Sequence, residues 1–326
     1  MTETGARSAT ANVVKAPGEG GVDHQPPSNH QHHRIRSEPM DALIGRTFDV
    51  LDHGFVRVVD YMGDDSSIVQ AARLSYGTGT KTVSEDRDLI RYLMRQRHTT
   101  PFEMCEIKLH VSMPMDVWRQ WIRHRTASVN EYSTRYSEAI DHAAKTEPTA
   151  WRKQSTTNKQ GSGSGIPEDV GAFLTDREDA FQKFAREIYQ ERLSHDVARE
   201  QARKDLPLST YTEAYWKVDL HNLLHFLNLR LDPHAQLEIR RFAEVIATIC
   251  QAWVPTVWQA FRDYRLDAMQ LSGLELRALE SVILNLTKHL SDPRVFPADN
   301  GLCAGMSKRE ITEFVAKLDR LGFRNR

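Results

Sequence analysis

Cysteine is scarce in this chain. The 326 residues include 3 cysteines, Cys105, Cys250 and Cys303, an odd number, widely spaced and without a CxxC pair. That excludes a disulfide framework or a structural zinc site built on paired thiols, and it predicts a reducing, cytosolic setting. Long apolar runs are missing too: none approaches the roughly 18 residues of a membrane span, and the N-terminal segment lacks the apolar core of a secretory signal. A soluble protein is expected. Net charge is also absent, since 43 Lys+Arg face 44 Asp+Glu for a formal charge of -1. Any attraction for phosphate must therefore come from local clustering. Nucleic-acid binding needs a basic domain with stacking aromatics and is disfavoured, because the aromatics are 8% of residues and fall mostly at helical core spacing.

Several catalytic signatures are missing as well. There is no GxGxxG, no P-loop, no GxSxG elbow and no cysteine beside a histidine. A Rossmann or P-loop nucleotide site and the familiar acyl-transfer nucleophiles are excluded on that ground. His221 and His225 have the i,i+4 spacing of a metal pair, but "HNLLH" lacks the glutamate of HExxH and a third ligand. No metal is expected.

What is present is enough apolar residue, 40%, for a substantial core. Residues 1–42 are rich in Gly, Ser, Pro, Asn and His without apolar periodicity, and they read as a disordered arm. From "GFVRVVDYMG" onward the signals are regular. A β-rich run precedes "DDSSIVQAARLS", whose Asp and Ser resemble a helix cap, and Leu89, Ile90, Leu93 and Met94 recur at helical spacing. In "CEIKLHVSM" the period becomes 2, the pattern of a strand covered on one face, which makes Cys105 a core residue. "PMDVWRQWIRHR" returns to helical spacing, so the stretch that follows is expected to begin at a helix end and continue as a loop. Residues 142–168, polar and Gly/Ser-rich, read as a flexible insertion. Beyond it Phe181, Phe184 and Ile188 mark a helix, Arg203 sits on a helix ended by Pro207, and "STYTEAYWKVD" is β-like. Leu220, Leu223, Leu224, Leu227 and Leu231 form the buried stripe of another helix, leaving His221, His225 and Asn228 on other faces. Helices are expected through Ile239, Phe242 and Ile246 and through Leu279, Val282 and Leu286. The last helix opens with a capping box, Ser307 and Glu310. The predicted class is α+β, helix-rich with a small, mostly antiparallel sheet. Residues 43–268 would be the main folded domain and 269–326 a C-terminal helical extension.

The stretch "RHRTASVNEYSTRY", residues 123–136, gathers arginines, serines and an amide where almost nothing can be buried. Guanidinium groups pair bidentately with phosphates while hydroxyls complete an anion cradle, so a phosphorylated ligand is the natural occupant. The plainer alternative is a solvated, arginine-rich helix end. Asn130 and Glu131 favour the ligand: a carboxylate among arginines orients them or accepts hydrogen bonds from a base or ribose.

That stretch resembles the RHRxxSxNExSxRY pattern of the flavin-dependent thymidylate synthases. "AARLSYG", "HTTPFE", "RQWIRHR", "ARKDLPLSTYTEAYW" and "FLNLRLDPHAQLEIRRFAE" look like family segments in the family's order, and the resemblance covers about residues 45–265. It implies reductive methylation of dUMP to dTMP, with 5,10-methylenetetrahydrofolate as carbon donor and NADPH, by way of FAD, as reductant. It also implies a cytoplasmic homotetramer whose sites combine residues of different subunits. Carried over by position, the dUMP contacts fall on Gln120, Trp121, Ile122 and Arg123, on Glu131, Tyr132, Ser133, Thr134 and Arg135, and on Arg203 and Arg230. The FAD contacts fall on Thr100, Arg123, His124, Arg125, Glu131, Asp219, Leu220, His221 and His225, with His98 and Ser75 close by. Arg230 corresponds to the residue that favours the ionised uracil N3, which suits a permanent cation near the ring and removes the need for a cysteine adduct. Asp219 and His225 depart from the asparagines of many relatives; an aspartate beside a flavin needs its own partner, a neighbouring basic residue being expected. Other readings are a non-catalytic nucleotide- or flavin-binding relative and an RNA-binding protein.

Overall fold

Strict alternation in "CEIKLHVSM" produces the central strand of the sheet. The computed structural model describes residues 35–74, 83–156, 161–279 and 305–320. Strands β1 (Thr47–Val50), β2 (Gly54–Met62), β3 (Glu106–Pro114), β4 (Ser128–Glu131) and β7 (Tyr211–Asp219) make a 5-stranded antiparallel sheet in the order β1-β2-β3-β7-β4. On β3, Ile107, Leu109 and Val111 are buried while Glu106, Lys108 and His110 remain partly exposed. Cys105, just before it, is fully buried, as a core residue should be. The β1–β2 turn is tight: a Cβ on Gly54 would lie 2.6 Å from the Val50 carbonyl oxygen and 2.8 Å from that of Ser112. Only glycine fits there.

The helices are α1 (Glu38–Asp41), α2 (Asp65–Leu74), α3 (Val83–Arg95), α4 (Thr100–Glu103), α5 (Met115–Trp121), α6 (Glu168–Ser194), α7 (Arg199–Ala202), α8 (Leu220–Arg230), α9 (Leu237–Trp253) and α10 (Pro255–Phe261). The cap ahead of α2 is Asp64, whose Oδ1 accepts from the Ser66 amide at 2.9 Å while Ser67 Oγ accepts from the Asp64 amide at 3.1 Å. The leucine stripe buries Leu220, Leu223, Leu224 and Leu227 under the sheet and leaves His225 and Asn228 exposed. Beside it Trp121 packs on Trp216, Phe226 and Phe242, with ring centroids at 5.3, 4.8 and 5.9 Å. α9 is anchored where Trp253 Nε1 donates to the Gly63 carbonyl at 2.7 Å. The class is α+β with helices predominating, as expected. Among the described residues no helix is long and apolar enough to cross a membrane.

Some boundaries differ from expectation. The arm assigned to residues 1–42 ends sooner: Met40 is fully buried in α1, and the Ser37 amide donates to Tyr61 Oη at 2.7 Å. One buried apolar side chain, hydrogen bonds with Tyr61 and, just beyond, one from the Gly45 amide to the Val58 carbonyl recruit a segment that has no periodicity of its own. The described residues 142–156 and 161–168 are not a free loop. The Tyr211 amide donates to the His142 carbonyl at 2.9 Å and the Ala144 amide to that of Ser209 at 2.8 Å. β5 (Arg152–Gln154) and β6 (Ser162–Gly165) then form a separate hairpin. Polar, glycine-rich composition hides such an element because its order comes from backbone bonds. The basic stretch begins after α5 has ended, and its residues 128–131 are the edge strand β4, not a loop. The capping box is present: the Ser307 amide donates to Glu310 Oε2 at 2.8 Å and the Glu310 amide to Ser307 Oγ at 3.3 Å, opening the helix Lys308–Arg320. Ser75, Val282, Leu286, Cys303 and residues 1–34 lie outside the described residues.

Candidate active site

A cleft of about 260 Å³ opens between the end of α3 and the outer face of α8. Its walls are apolar, formed by Leu93, Met94, Phe102, Leu224 and Phe261, and its rim is polar, formed by His98, Thr99, His221, His225 and Asn228. Helical geometry explains the convergence: the leucine stripe turns inward, so residues 221, 225 and 228 share the opposite face. His98 is held by its backbone, the amide donating to the Leu93 carbonyl at 2.9 Å across the α3 terminus. Two guanidinium groups, Arg97 and Arg265, and Gln270 complete the lining.

Behind α8 lies a second group. Arg230 Nε donates to His124 Nε2 at 3.1 Å, and its Nη2 donates to the Gln120 carbonyl at 3.2 Å. Arginine can only donate, so His124 Nε2 carries the lone pair and the imidazole is neutral with its proton on Nδ1. Burial, then Arg230, then His225 push the His124 pKa down to about 4. Burial also lowers the pKa of Arg230, which stays cationic at neutral pH. Gln120 Nε2 donates to Gln236 Oε1, and Gln236 Nε2 to Asp116 Oδ2 at 3.1 Å, a chain that fixes the end of α5. His124 also meets His225 edge to face, with centroids 5.6 Å apart, which ties this group to the cleft.

The third group surrounds the edge strand. Glu131 Oε1 accepts from Thr212 Oγ1 at 2.9 Å on β7, and the Tyr132 amide donates to the Glu213 carbonyl at 2.8 Å. Thr134 is buried and accepts from Arg203 Nη1, which follows α7 in a 3-10 turn, Arg203–Asp205. Arg135 pairs with Glu200 at 3.1 Å, both side chains more than half exposed, so the pair is weak and the arginine is available. Arg123 and Arg125 are exposed and make no ion pair among the described residues. No hydrogen bond or ion pair among the described residues joins this group to Arg230. Neither is any group of three or more His, Cys, Asp or Glu side chains among them placed to hold a metal ion.

Known proteins share this arrangement of segments. Residues 57–256 match the Thy1 family, described as thymidylate synthase complementing protein. A flavin-dependent thymidylate synthase of Wolbachia pipientis is 47% identical over 294 residues, covering 90% of this chain and 99% of that protein. The chain belongs to that family. Another flavin-dependent thymidylate synthase, from Gluconobacter oxydans, is 50% identical over 293 residues, 86% of this chain and 90% of that protein. Among solved structures, the UMP/dUMP methylase PolB of Streptomyces cacaoi bound with 5-Br dUMP matches with a TM-score of 0.61 at 30% identity. That match covers 67% of this chain and 98% of PolB.

For a flavin-dependent thymidylate synthase, several residues expected at the site prove to have other work. Trp121, expected against dUMP, is a fully buried core residue, and Leu220, expected against flavin, is likewise buried in the leucine stripe. Their side chains are closed to ligands. Asp219 does find a partner, but not a basic one: it is the N-cap of α8, accepting from the Asn222 amide at 2.9 Å and from Asn222 Nδ2 at 2.8 Å. Thr99 lines the cleft, while Thr100 begins α4; Ile122 is exposed just beyond α5, and Ser133 accepts from the Arg135 amide at 3.3 Å within a turn. Arg97, Phe102, Phe261 and Arg265 were missed, because a core-like aromatic and a lone arginine have no sequence mark as ligands. The cleft suits the family's cofactor: apolar walls match the faces of a planar ring and the polar rim matches its heteroatom edge.

Proposed function

We propose that this chain is a flavin-dependent thymidylate synthase that converts dUMP to dTMP, with 5,10-methylenetetrahydrofolate as carbon donor and NADPH as reductant. The observation that carries the reading is the Arg230–His124–Gln120 group set directly behind the amphipathic cleft, with the arginine-rich stretch beginning at His124's neighbour Arg123. When bound in the cleft, FAD supplies the redox chemistry between NADPH and the nucleotide. His98, His221 and His225 hold its ring, with Arg123 and Arg125 available to its phosphates. Arg203, Arg135 and Ser133 grip the dUMP phosphate, and Gln120 and Glu131 orient the nucleotide. Arg230 has N–H groups to spare after its two internal bonds. Aimed at the uracil, they favour the N3 anion and make C5 nucleophilic without a thiol adduct. The described cysteines support that route: both are buried, and burial pushes the Cys105 thiol up to about 12 and raises that of Cys250.

The dUMP site is completed between subunits of a cytoplasmic homotetramer, and small molecules rather than nucleic acid are its ligands. Support comes from the want of any hydrogen bond or ion pair joining the Arg203 group to Arg230 among the described residues, and from an apolar stripe on α6. Phe173, Phe181 and Phe184 are there 62%, 58% and 60% exposed, a face that a second copy would cover. The decisive experiment is direct. Purified protein reconstituted with FAD should show flavin absorbance, oxidise NADPH and form dTMP from dUMP and methylenetetrahydrofolate. Flavin binding without dTMP would make it a non-catalytic relative, and failure to take up FAD would end the proposal.

A further inference from the structure

The helix Lys308–Arg320 lies outside residues 57–256, the segment that matches Thy1. It docks on α3 through charge. Arg91 Nε donates to Glu310 Oε1 at 2.7 Å, its Nη1 to Asp263 Oδ2 at 2.5 Å, and its Nη2 to Tyr264 Oη at 3.2 Å. One turn on, Arg95 grips Glu313 with both Nε, at 2.5 Å, and Nη2, at 3.0 Å, while its Nη1 donates to Tyr264 Oη at 3.1 Å. Tyr264 Oη in turn donates to Glu310. The Arg91 and Glu310 side chains are only 7% and 6% exposed. Arg309 lies over the Tyr92 ring at 3.7 Å, and that ring is 5.7 Å from His98.

A helix serving only to cover α3 would do so at least as stably on leucines, since burying an ion pair costs much of what the pair returns. A fully bonded polar network adds geometric specificity: it holds its partners in one register. Here the element held is a wall of the cleft. Arg91 and Arg95 lie one helical turn apart on α3, whose Leu93 and Met94 line the cleft and whose Leu93 carbonyl fixes the His98 amide. Arg265 Nη2 also reaches the Met94 carbonyl at 3.5 Å, so the segment carrying Asp263 and Tyr264 joins the same wall.

We infer that Glu310 and Glu313 are positioning residues for the cofactor cleft, clamping α3 through Arg91 and Arg95 so that Leu93, Met94 and His98 stand at ring-binding distance. This rests on the reading that the cleft takes flavin. The clamp acts on flavin and leaves the Arg203 group untouched. The test is a titration of full-length apoprotein with FAD, and separately with dUMP, for wild type and for Glu310→Gln combined with Glu313→Gln. The expected result is about a tenfold weaker FAD dissociation constant, with an altered visible spectrum of the bound flavin and dUMP affinity unchanged. Wild-type FAD affinity and spectrum in the double variant would overturn the inference. So would FAD and dUMP affinities falling in parallel with the melting temperature, the mark of a purely structural helix. If the double variant does not fold, Glu313→Gln alone carries the prediction, at about threefold. A third variant, His225→Ala, separates the two proposals: unchanged FAD affinity there means that the cleft is not the flavin site, whereas weakened affinity there with a silent clamp variant refutes the clamp alone.

Discussion

At the scale of single residues, the structure gives Arg230 and His124 one shared task. Arg230 binds the imidazole and the Gln120 carbonyl through two of its N–H groups and keeps the others for a ligand. Replacing it with alanine should abolish most dTMP formation while FAD, proposed to sit in the cleft on the far side of α8, stays bound. Turnover assays beside flavin absorbance check this, and an enzyme that keeps its rate would remove Arg230 from uracil activation. His124 has a pH signature. Its folded-state pKa is pushed down to about 4 from an ordinary 6.5, so as pH falls below 6.5 the unfolded chain takes up a proton that the folded chain refuses. Stability contributed by this residue is complete above pH 6.5 and is lost progressively toward pH 4. His124→Asn should therefore show a shallower decline of melting temperature between about pH 6.5 and 5 than wild type. Parallel declines would mean that the imidazole is not held neutral.

At the scale of elements, helix ends do much of the positioning. Asp219 closes β7 and caps α8, the helix that carries His221, His225 and Arg230 on its outer faces. A cap of this type contributes about 1 kcal/mol, and asparagine serves nearly as well as aspartate. Asp219→Ala should thus lower the unfolding free energy by about 1 kcal/mol in urea titrations, and Asp219→Asn should be close to neutral. If both lose equally, the carboxylate has a role other than capping. The edge strand β4 is the counterpart case. All four of its residues are exposed, and β7 holds it by backbone pairing, which leaves its side chains, Glu131 among them, open to a ligand.

At the scale of the whole molecule, the exposed phenylalanines of α6 carry the assembly prediction. Phe181→Asp with Phe184→Asp should shift the protein to a smaller species in sedimentation velocity and, on the proposal that the nucleotide site is completed between subunits, cost dTMP formation in proportion. A double variant with unchanged mass would place the interface elsewhere. Much of this protein was legible before its fold. Periodicity located β3, α8 and α9, and the residue types gathered in "RHRTASVNEYSTRY" pointed to a phosphorylated ligand, since both depend on neighbouring residues, a local property of the chain. The hairpin of β5 and β6, the burial of Met40 and the strand character of residues 128–131 were not legible, because composition records no backbone bonds to distant segments. Apolar spacing already put Leu220 in the buried stripe, against the ligand role that the resemblance implied for it, whereas nothing in the sequence told that Arg97 and Arg265 face the cleft. Sequence by itself determined the residue types and their local spacing, and through the family resemblance they carry it implied the class of reaction. Only tertiary structure decided which side chains meet: the His124–Arg230 and Arg91–Glu310 contacts join residues far apart in the chain, and their energy exists only once the core has brought them together.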